Sequence, residues 1–152
     1  MKSLRELFFS IPCSWNGKGE LVTPIAFIHS DSRRIQPGDL FVAVKGLRSD
    51  GHGFIAEAVR RGARAVVCER FDREANERGV PQFQVSGSRA VLSHLVASAY
   101  DFPARKLKCI GITGTNGKTT TSFLIQYLLN TQSRAGLIGS VHYDDGKEIR
   151  PA

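Results

Sequence analysis

Apolar positions along the chain change period several times, and each change marks an element. Residues 40–44 form a short β-prone run, preceded by the turn signal Pro37-Gly38-Asp39. Phe54, Ile55, Ala58 and Val59 then fall at helical spacing, and Gly62 follows as a helix C-cap. Residues 65–68 read as a buried strand and residues 82–85 as another. Residues 90–100 read as a helix with Val91, Leu92, Leu95, Val96 and Ala99 on one face. Strands that alternate with helices predict βαβ units and a mostly parallel sheet, hence an α/β fold.

Residues 101–106 contain Pro103 among polar and charged positions, and a domain boundary is placed there, giving domains 1–104 and 105–152. The second stretch predicts a strand over 107–113, a Gly-rich loop, a helix from about 118 to 129 and an apolar segment over 135–138. Asp144-Asp145-Gly146 predicts a hairpin turn between 141–143 and 147–149. One βαβ crossover cannot cover both faces of a parallel sheet. The second domain is therefore expected to be incomplete, the start of a central domain built on a parallel sheet.

Composition narrows the class. Of 152 residues, 41% are hydrophobic and 23% charged, the balance of an ordinary globular protein. The net charge of +7 is spread along the chain, and no basic run exceeds two residues. That argues against nucleic acid as a partner, whereas a positive field suits phosphorylated small molecules. Cys13, Cys68 and Cys109 are odd in number and widely spaced, which fits neither a disulfide framework nor a zinc site. Cys68 and Cys109 lie in apolar runs and read as reduced core residues. Arg5 and Glu6 interrupt the apolar start of the chain, which is too short and too charged for a signal peptide. No run approaches transmembrane length. The expected setting is the cytoplasm, with no membrane partner.

The chemistry concentrates in the stretch from Cys109 to Thr121, Cys-Ile-Gly-Ile-Thr-Gly-Thr-Asn-Gly-Lys-Thr-Thr-Thr. It joins a predicted strand to a predicted helix, the context that a phosphate loop requires. Gly114 and Gly117 let the backbone approach a phosphate with no Cβ in the way. The amides of Gly114, Thr115, Asn116, Gly117, Lys118, Thr119 and Thr120 can form an anion-binding nest, helped by the positive end of the helix. Lys118 is placed to reach the β- and γ-phosphates of ATP, and the Thr119 hydroxyl to ligate Mg²⁺. The general pattern wants a glycine at position 112, where this chain has isoleucine, with Gly111 one residue earlier. A Gly-rich turn carrying an exposed lysine is the plain alternative.

The form Gly-Thr-Asn-Gly-Lys-Thr-Thr resembles the phosphate loop of the Mur ligases and their folylpolyglutamate synthase relatives. A second motif agrees. Ser30-Asp31-Ser32-Arg33, then Pro37-Gly38-Asp39-Leu40-Phe41-Val42-Ala43, then Lys45-Gly46-Leu47-Arg48-Ser49-Asp50-Gly51-His52-Gly53-Phe54-Ile55 resembles the first domain of the ligases that add the third stem-peptide residue or the terminal dipeptide. The loop's third threonine and the stretch from Gly136 to Tyr143 are most similar to the third-residue ligase, the MurE type.

The resemblance implies an ATP-dependent acid–amino-acid ligase of peptidoglycan synthesis. It would join meso-diaminopimelate or L-lysine to UDP-N-acetylmuramoyl-L-alanyl-D-glutamate through an acyl phosphate, with ATP and Mg²⁺. It implies a uridine-nucleotide site in the first domain at Ser32, Ser30 and the Leu47-Arg48-Ser49 segment. Ser hydroxyls can hydrogen-bond uracil or ribose, and Arg48 can pair with a pyrophosphate. The plain alternatives are an Asx-type turn at Asp31-Ser32 and solvated charges at Arg33, Arg34 and Arg48. The four histidines are scattered and read as structural or surface groups. The family also needs acidic, histidine and modified-lysine groups of a larger central domain, so this chain alone is expected to be inactive and the full-length protein a monomer. The MurF-type dipeptide-adding ligase and a non-catalytic nucleotide-binding module are the competing readings.

Overall fold

A computed structural model describes residues 1–47 and 49–152. The chain divides into two compact units, Met1–Lys106 and Leu107–Ala152.

The first unit is α/β. Its elements are α1 (Leu4–Phe8), β1 (Ser14–Trp15), β2 (Ile28–His29), β3 (Leu40–Val42), α2 (Ile55–Arg60), β4 (Ala65–Cys68), α3 (Arg73–Glu77), β5 (Gln82–Gln84) and α4 (Ser88–Ala99). The sheet order is β1-β5-β4-β3-β2. Strands β2 to β5 are parallel, and β1 adds an antiparallel edge through Ser14↔Gln84 and Trp15↔Phe83. The strands of a parallel sheet bury both faces, which is why β3 and β4 are apolar at every position.

The two-residue period of a strand sorts the core into two layers. Leu40, Val42, Ala65, Val67 and Phe83 face α1 and α4, where they meet Leu4, Leu7, Phe8 and Leu95. Phe41, Ala43, Val66 and Cys68 face the other way, onto Ile55, Ala58 and Val59 of α2 and Ala75 of α3. The Phe8 and Phe83 rings stack with centroids 3.9 Å apart. Gly62 closes α2 at φ +97°, its N–H bonding the Val59 carbonyl at 3.0 Å.

Helix α1 follows from a signal in its own sequence. Ser3 and Glu6 form a capping box, the Glu6 carboxylate accepting the Ser3 N–H at 2.8 Å. Helix α4 departs from the expected face. Val96 is exposed and Ser98 is buried instead. Positions 91, 95 and 98 follow the i, i+4, i+7 stripe, and 96 lies off it.

The second unit contains α5 (Lys118–Asn130) and the strands β6 (Leu137–Ile138), β7 (His142–Asp144) and β8 (Ile149–Pro151). The three strands form an antiparallel meander, and the β7–β8 hairpin turns at the expected Asp144-Asp145-Gly146. The Gln126 amide donates to Asp144 Oδ2 at 2.7 Å and to the Ala135 carbonyl at 3.1 Å, tying α5 to the hairpin.

Two expectations are corrected here. Residues 107–113 form no strand, and the sheet of this unit is antiparallel rather than parallel. A β-prone run becomes a strand only with a ladder partner. The segment 137–138 pairs instead with β7, its neighbour in sequence, because a short loop costs less closure entropy than a crossover. Cys109 is consequently exposed, whereas Cys68 is in the core, where burial pushes its thiol up to about 12.

Candidate functional site

In the second unit the Gly-rich loop expected to bind phosphate ends where α5 begins. Gly117 stands immediately before the helix in the left-handed region at φ +74°, a conformation that costs a non-glycine residue energy. No side chain caps this end of α5, and no acidic residue occupies its first turn. The first N–H with an intrahelical partner is that of Thr121, bonded to the Gly117 carbonyl at 2.9 Å. The amides of Lys118, Thr119 and Thr120 therefore stand at the positive end of a 13-residue helix, the arrangement that attracts an anion. Lys118 turns back across the loop, and its Nζ donates to the Gly114 carbonyl at 2.8 Å and to that of Thr115 at 3.4 Å. An ammonium held by two neutral carbonyls on an exposed loop is in place to exchange them for a phosphate oxygen. Thr119 presents its hydroxyl on the exposed first turn, with its carbonyl bonded by Ser122 Oγ at 2.7 Å.

In the first unit Ser30, Ser32, Leu47 and Ser49 lie on the loops that follow the carboxyl ends of the neighbouring parallel strands β2 and β3, the end at which open α/β sheets bind ligands. Ser30 follows β2 and is exposed. Asp31 caps a 3₁₀ turn, Ser32–Arg34, so the Asx-type geometry is present at this position. Its carboxylate accepts the Arg33 guanidinium at 2.9 and 2.8 Å and the Arg33 N–H at 3.0 Å, which holds its pKa down to about 2. Ser32 is buried, and its Oγ donates to Glu57 Oε2 at 2.8 Å. Glu57 also accepts from Arg61 Nε at 2.9 Å, and Arg61 reaches the Arg33 carbonyl at 3.3 Å. The bonds from Ser32 and then Arg61 hold the Glu57 carboxyl below its ordinary range.

The loop after β3 carries the other expected residues. Lys45 and Asp50 bridge its base, and the Gly46 N–H bonds the Ser49 carbonyl at 2.9 Å. Leu47 and Ser49 are exposed between them, and Arg48 lies outside the described residues.

Sequence reading passed over the support of this loop. Buried His52 bonds Asp50 Oδ1 through Nδ1 at 2.6 Å, while its Nε2 accepts the Glu69 backbone N–H at 2.8 Å. Because Nε2 must accept, the ring proton sits on Nδ1. Glu69 Oε1 in turn accepts the N–H and Oγ of Ser88, each at 3.0 Å, capping α4. Arg89 then donates to the Lys45 carbonyl at 3.1 Å. The one local signal was the Asp50-Gly51-His52 turn; Glu69 and Ser88 carried none. Among the described residues no group of three or more His, Cys, Asp or Glu is placed to hold a metal ion, and no helix is long and apolar enough to cross a membrane.

Residues 24–100 match the family described as "Mur ligase family, catalytic domain", about half of the chain. The chain belongs to the Mur ligase family. A UDP-N-acetylmuramoyl-L-alanyl-D-glutamate–2,6-diaminopimelate ligase of Chlorobium phaeobacteroides is 42% identical over 140 residues, 91% of this Mur ligase chain and 27% of that protein. Among solved structures, MurF of Acinetobacter baumannii is 30% identical with a TM-score of 0.69, covering 87% of this chain and 28% of that one. MurF ligase of Thermotoga maritima, solved with ADP, is 34% identical with a TM-score of 0.52, covering 75% and 25%. The chain thus spans about a quarter of the length of the relatives that it matches.

Proposed function

We propose that this chain supplies the uridine-nucleotide and ATP-phosphate elements of a cytoplasmic ligase that adds the third residue of the peptidoglycan stem peptide. Residues 1–104 would hold UDP-N-acetylmuramoyl-L-alanyl-D-glutamate at Ser30, Ser32 and the 47–49 segment. Residues 105–152 would begin the ATP-binding domain. The observation that carries this reading is the uncapped start of α5 behind Gly117, with the Lys118 ammonium lying over the same loop. The 42% identity to a diaminopimelate ligase supports the choice of substrate class.

The reaction that fits is a phosphoryl transfer followed by an acyl substitution. The γ-phosphoryl of ATP passes to the D-glutamate side-chain carboxylate, giving an acyl phosphate and ADP. The amine of meso-diaminopimelate or L-lysine then attacks the acyl carbon, and phosphate leaves as the amide forms. The loop amides and Lys118 neutralise charge on the transferring group, which is the main way a protein accelerates this chemistry. The Thr119 hydroxyl fits a hard divalent cation such as Mg²⁺, which would contribute further positive charge beside the phosphates.

The test is amide formation by the full-length protein. Product should require ATP, the UDP-muramoyl dipeptide and a diamino acid together. The 152-residue chain alone should give none, since in-line reactions lose about a hundredfold for a misplacement of about 1 Å. Turnover by this chain alone would overturn that part of the proposal. A dipeptide-adding ligase is the second reading, favoured by the likeness to MurF structures. Preference for D-alanyl-D-alanine and a UDP-muramoyl tripeptide would select it.

A further inference from the structure

The pairing of Ser32 with Glu57 fixes which hydrogen-bonding role the serine can offer. A serine hydroxyl has one proton to donate and two lone pairs to accept with. Glu57 takes that proton at 2.8 Å, and its other oxygen is held by Arg61 at 2.9 Å. Arg61 is anchored in turn on the Arg33 carbonyl, beside the Asp31–Arg33 ion pair. An ionised carboxylate only accepts, so neither Glu57 nor Arg61 can reverse the direction of the bond. The pKa of Glu57, held low by these same two partners, keeps it ionised through neutral pH. Ser32 itself is 5% exposed, and burial in a packed 3₁₀ turn restricts rotation of its hydroxyl toward another acceptor.

We propose that Glu57 is a positioning residue that turns Ser32 into an obligate hydrogen-bond acceptor, so that Ser32 reads a donor group of the bound uridine moiety and rejects an acceptor at that place. The inference rests on the proposed uridine-nucleotide site at Ser32. It goes further by assigning Glu57 and Arg61 to that site and by excluding phosphate and carbonyl oxygens as the atoms that Ser32 contacts. A uridine nucleotide offers two kinds of donor, the pyrimidine N3–H and the ribose hydroxyls. Cytidine presents a bare N3 lone pair where uridine has N3–H, and 2′-deoxyuridine lacks one hydroxyl.

The experiment is calorimetric titration of the 152-residue chain with UDP, CDP and 2′-deoxy-UDP, for the wild type, Glu57→Gln and Glu57→Ala. Wild type should bind UDP about tenfold more tightly than the one analogue lacking the donor that Ser32 reads, the cost of leaving a buried acceptor unpaired. A deficit with CDP assigns the pyrimidine N3–H, and a deficit with 2′-deoxy-UDP assigns the ribose. Glu57→Ala frees the serine proton, so the preference should collapse to within about twofold, and an N3 lone pair becomes acceptable. Glu57→Gln still offers Ser32 a carbonyl oxygen and should restore the preference. A merely structural Glu57 would weaken all three ligands in parallel and leave their ratios unchanged, and that result overturns the proposal. Equal wild-type affinity for the three ligands overturns it as well. Absence of UDP binding to the wild type sinks the uridine-site reading together with this one. Should Glu57→Ala unfold, Glu57→Leu, which keeps the bulk of the side chain but offers Ser32 no acceptor, takes its place with the same expected collapse of the preference, and an unchanged preference in it overturns the proposal.

Discussion

The imidazole of His52 accepts the backbone N–H of Glu69 at 2.8 Å, bridging residues 17 apart in sequence. The contact joins the base of the exposed 45–50 loop to the end of β4. His52→Ala would leave the partly buried Glu69 amide without its partner and release Asp50. The expected loss is about 1–3 kcal/mol of folding stability, read from urea denaturation midpoints at unchanged slope. Long-range ¹H–¹⁵N spectra should show the ring proton on Nδ1. A proton on Nε2 would contradict the geometry.

Lys118 makes its contacts on an exposed loop, with the Gly114 and Thr115 carbonyls. Lys118→Ala should therefore change stability by less than about 0.5 kcal/mol. In the full-length protein it should abolish ATP-dependent ligation. Wild-type turnover in that variant would remove the phosphate-loop assignment.

Gly51 and Gly53 occupy one 3₁₀ turn but stand in different surroundings. A Cβ at Gly51 would meet the Val44 backbone N at 2.6 Å and O at 2.7 Å, whereas a Cβ at Gly53 meets nothing within 4 Å. Gly51→Ala should cost about 1–3 kcal/mol through forced backbone movement, and Gly53→Ala should cost well under about 1 kcal/mol. Thermal melts of the two variants make the comparison, and equal melting temperatures would refute the close approach to Val44.

Asp31 provides a test by pH. Its hydrogen bonds with Arg33 hold the folded-state pKa at about 2, below the ordinary 3.8. A depressed carboxyl stabilises the fold above its unfolded pKa, and that contribution fades as pH falls from about 4 toward 2. Titration of the Asp31 side-chain carbon by NMR should give a midpoint near 2 in the wild type and a higher one in Arg33→Ala, which loses the guanidinium bonds but keeps the backbone N–H bond. A wild-type midpoint near 4 would mean that the ion pair does not form.

Much of the first unit was legible because periodicity is a local property. The runs at 40–44, 65–68 and 82–85 became β3, β4 and β5, and the 54–59 spacing became α2, because a strand or helix face is set by residues two to four apart. The capping box at Ser3 and Glu6 was equally local and could have been read. The stretch 107–113 shows the limit of such reading. Its apolar run has the composition of a strand, yet no partner pairs with it among the described residues.

The sequence by itself determined the Gly-rich loop ahead of α5, since left-handed glycine, lysine and helix start are neighbours along the chain, and it determined the α/β alternation of the first unit. Tertiary structure decided the hydrogen-bonding partners. Ser32 meets Glu57 across 25 positions, His52 meets Glu69 across 17 and Glu69 meets Ser88 across 19. Such pairs form only after loops close and strands order themselves at a common sheet edge. Loop closure is an entropic cost of the whole topology, and no pattern of adjacent residues encodes which distant donor and acceptor it brings together.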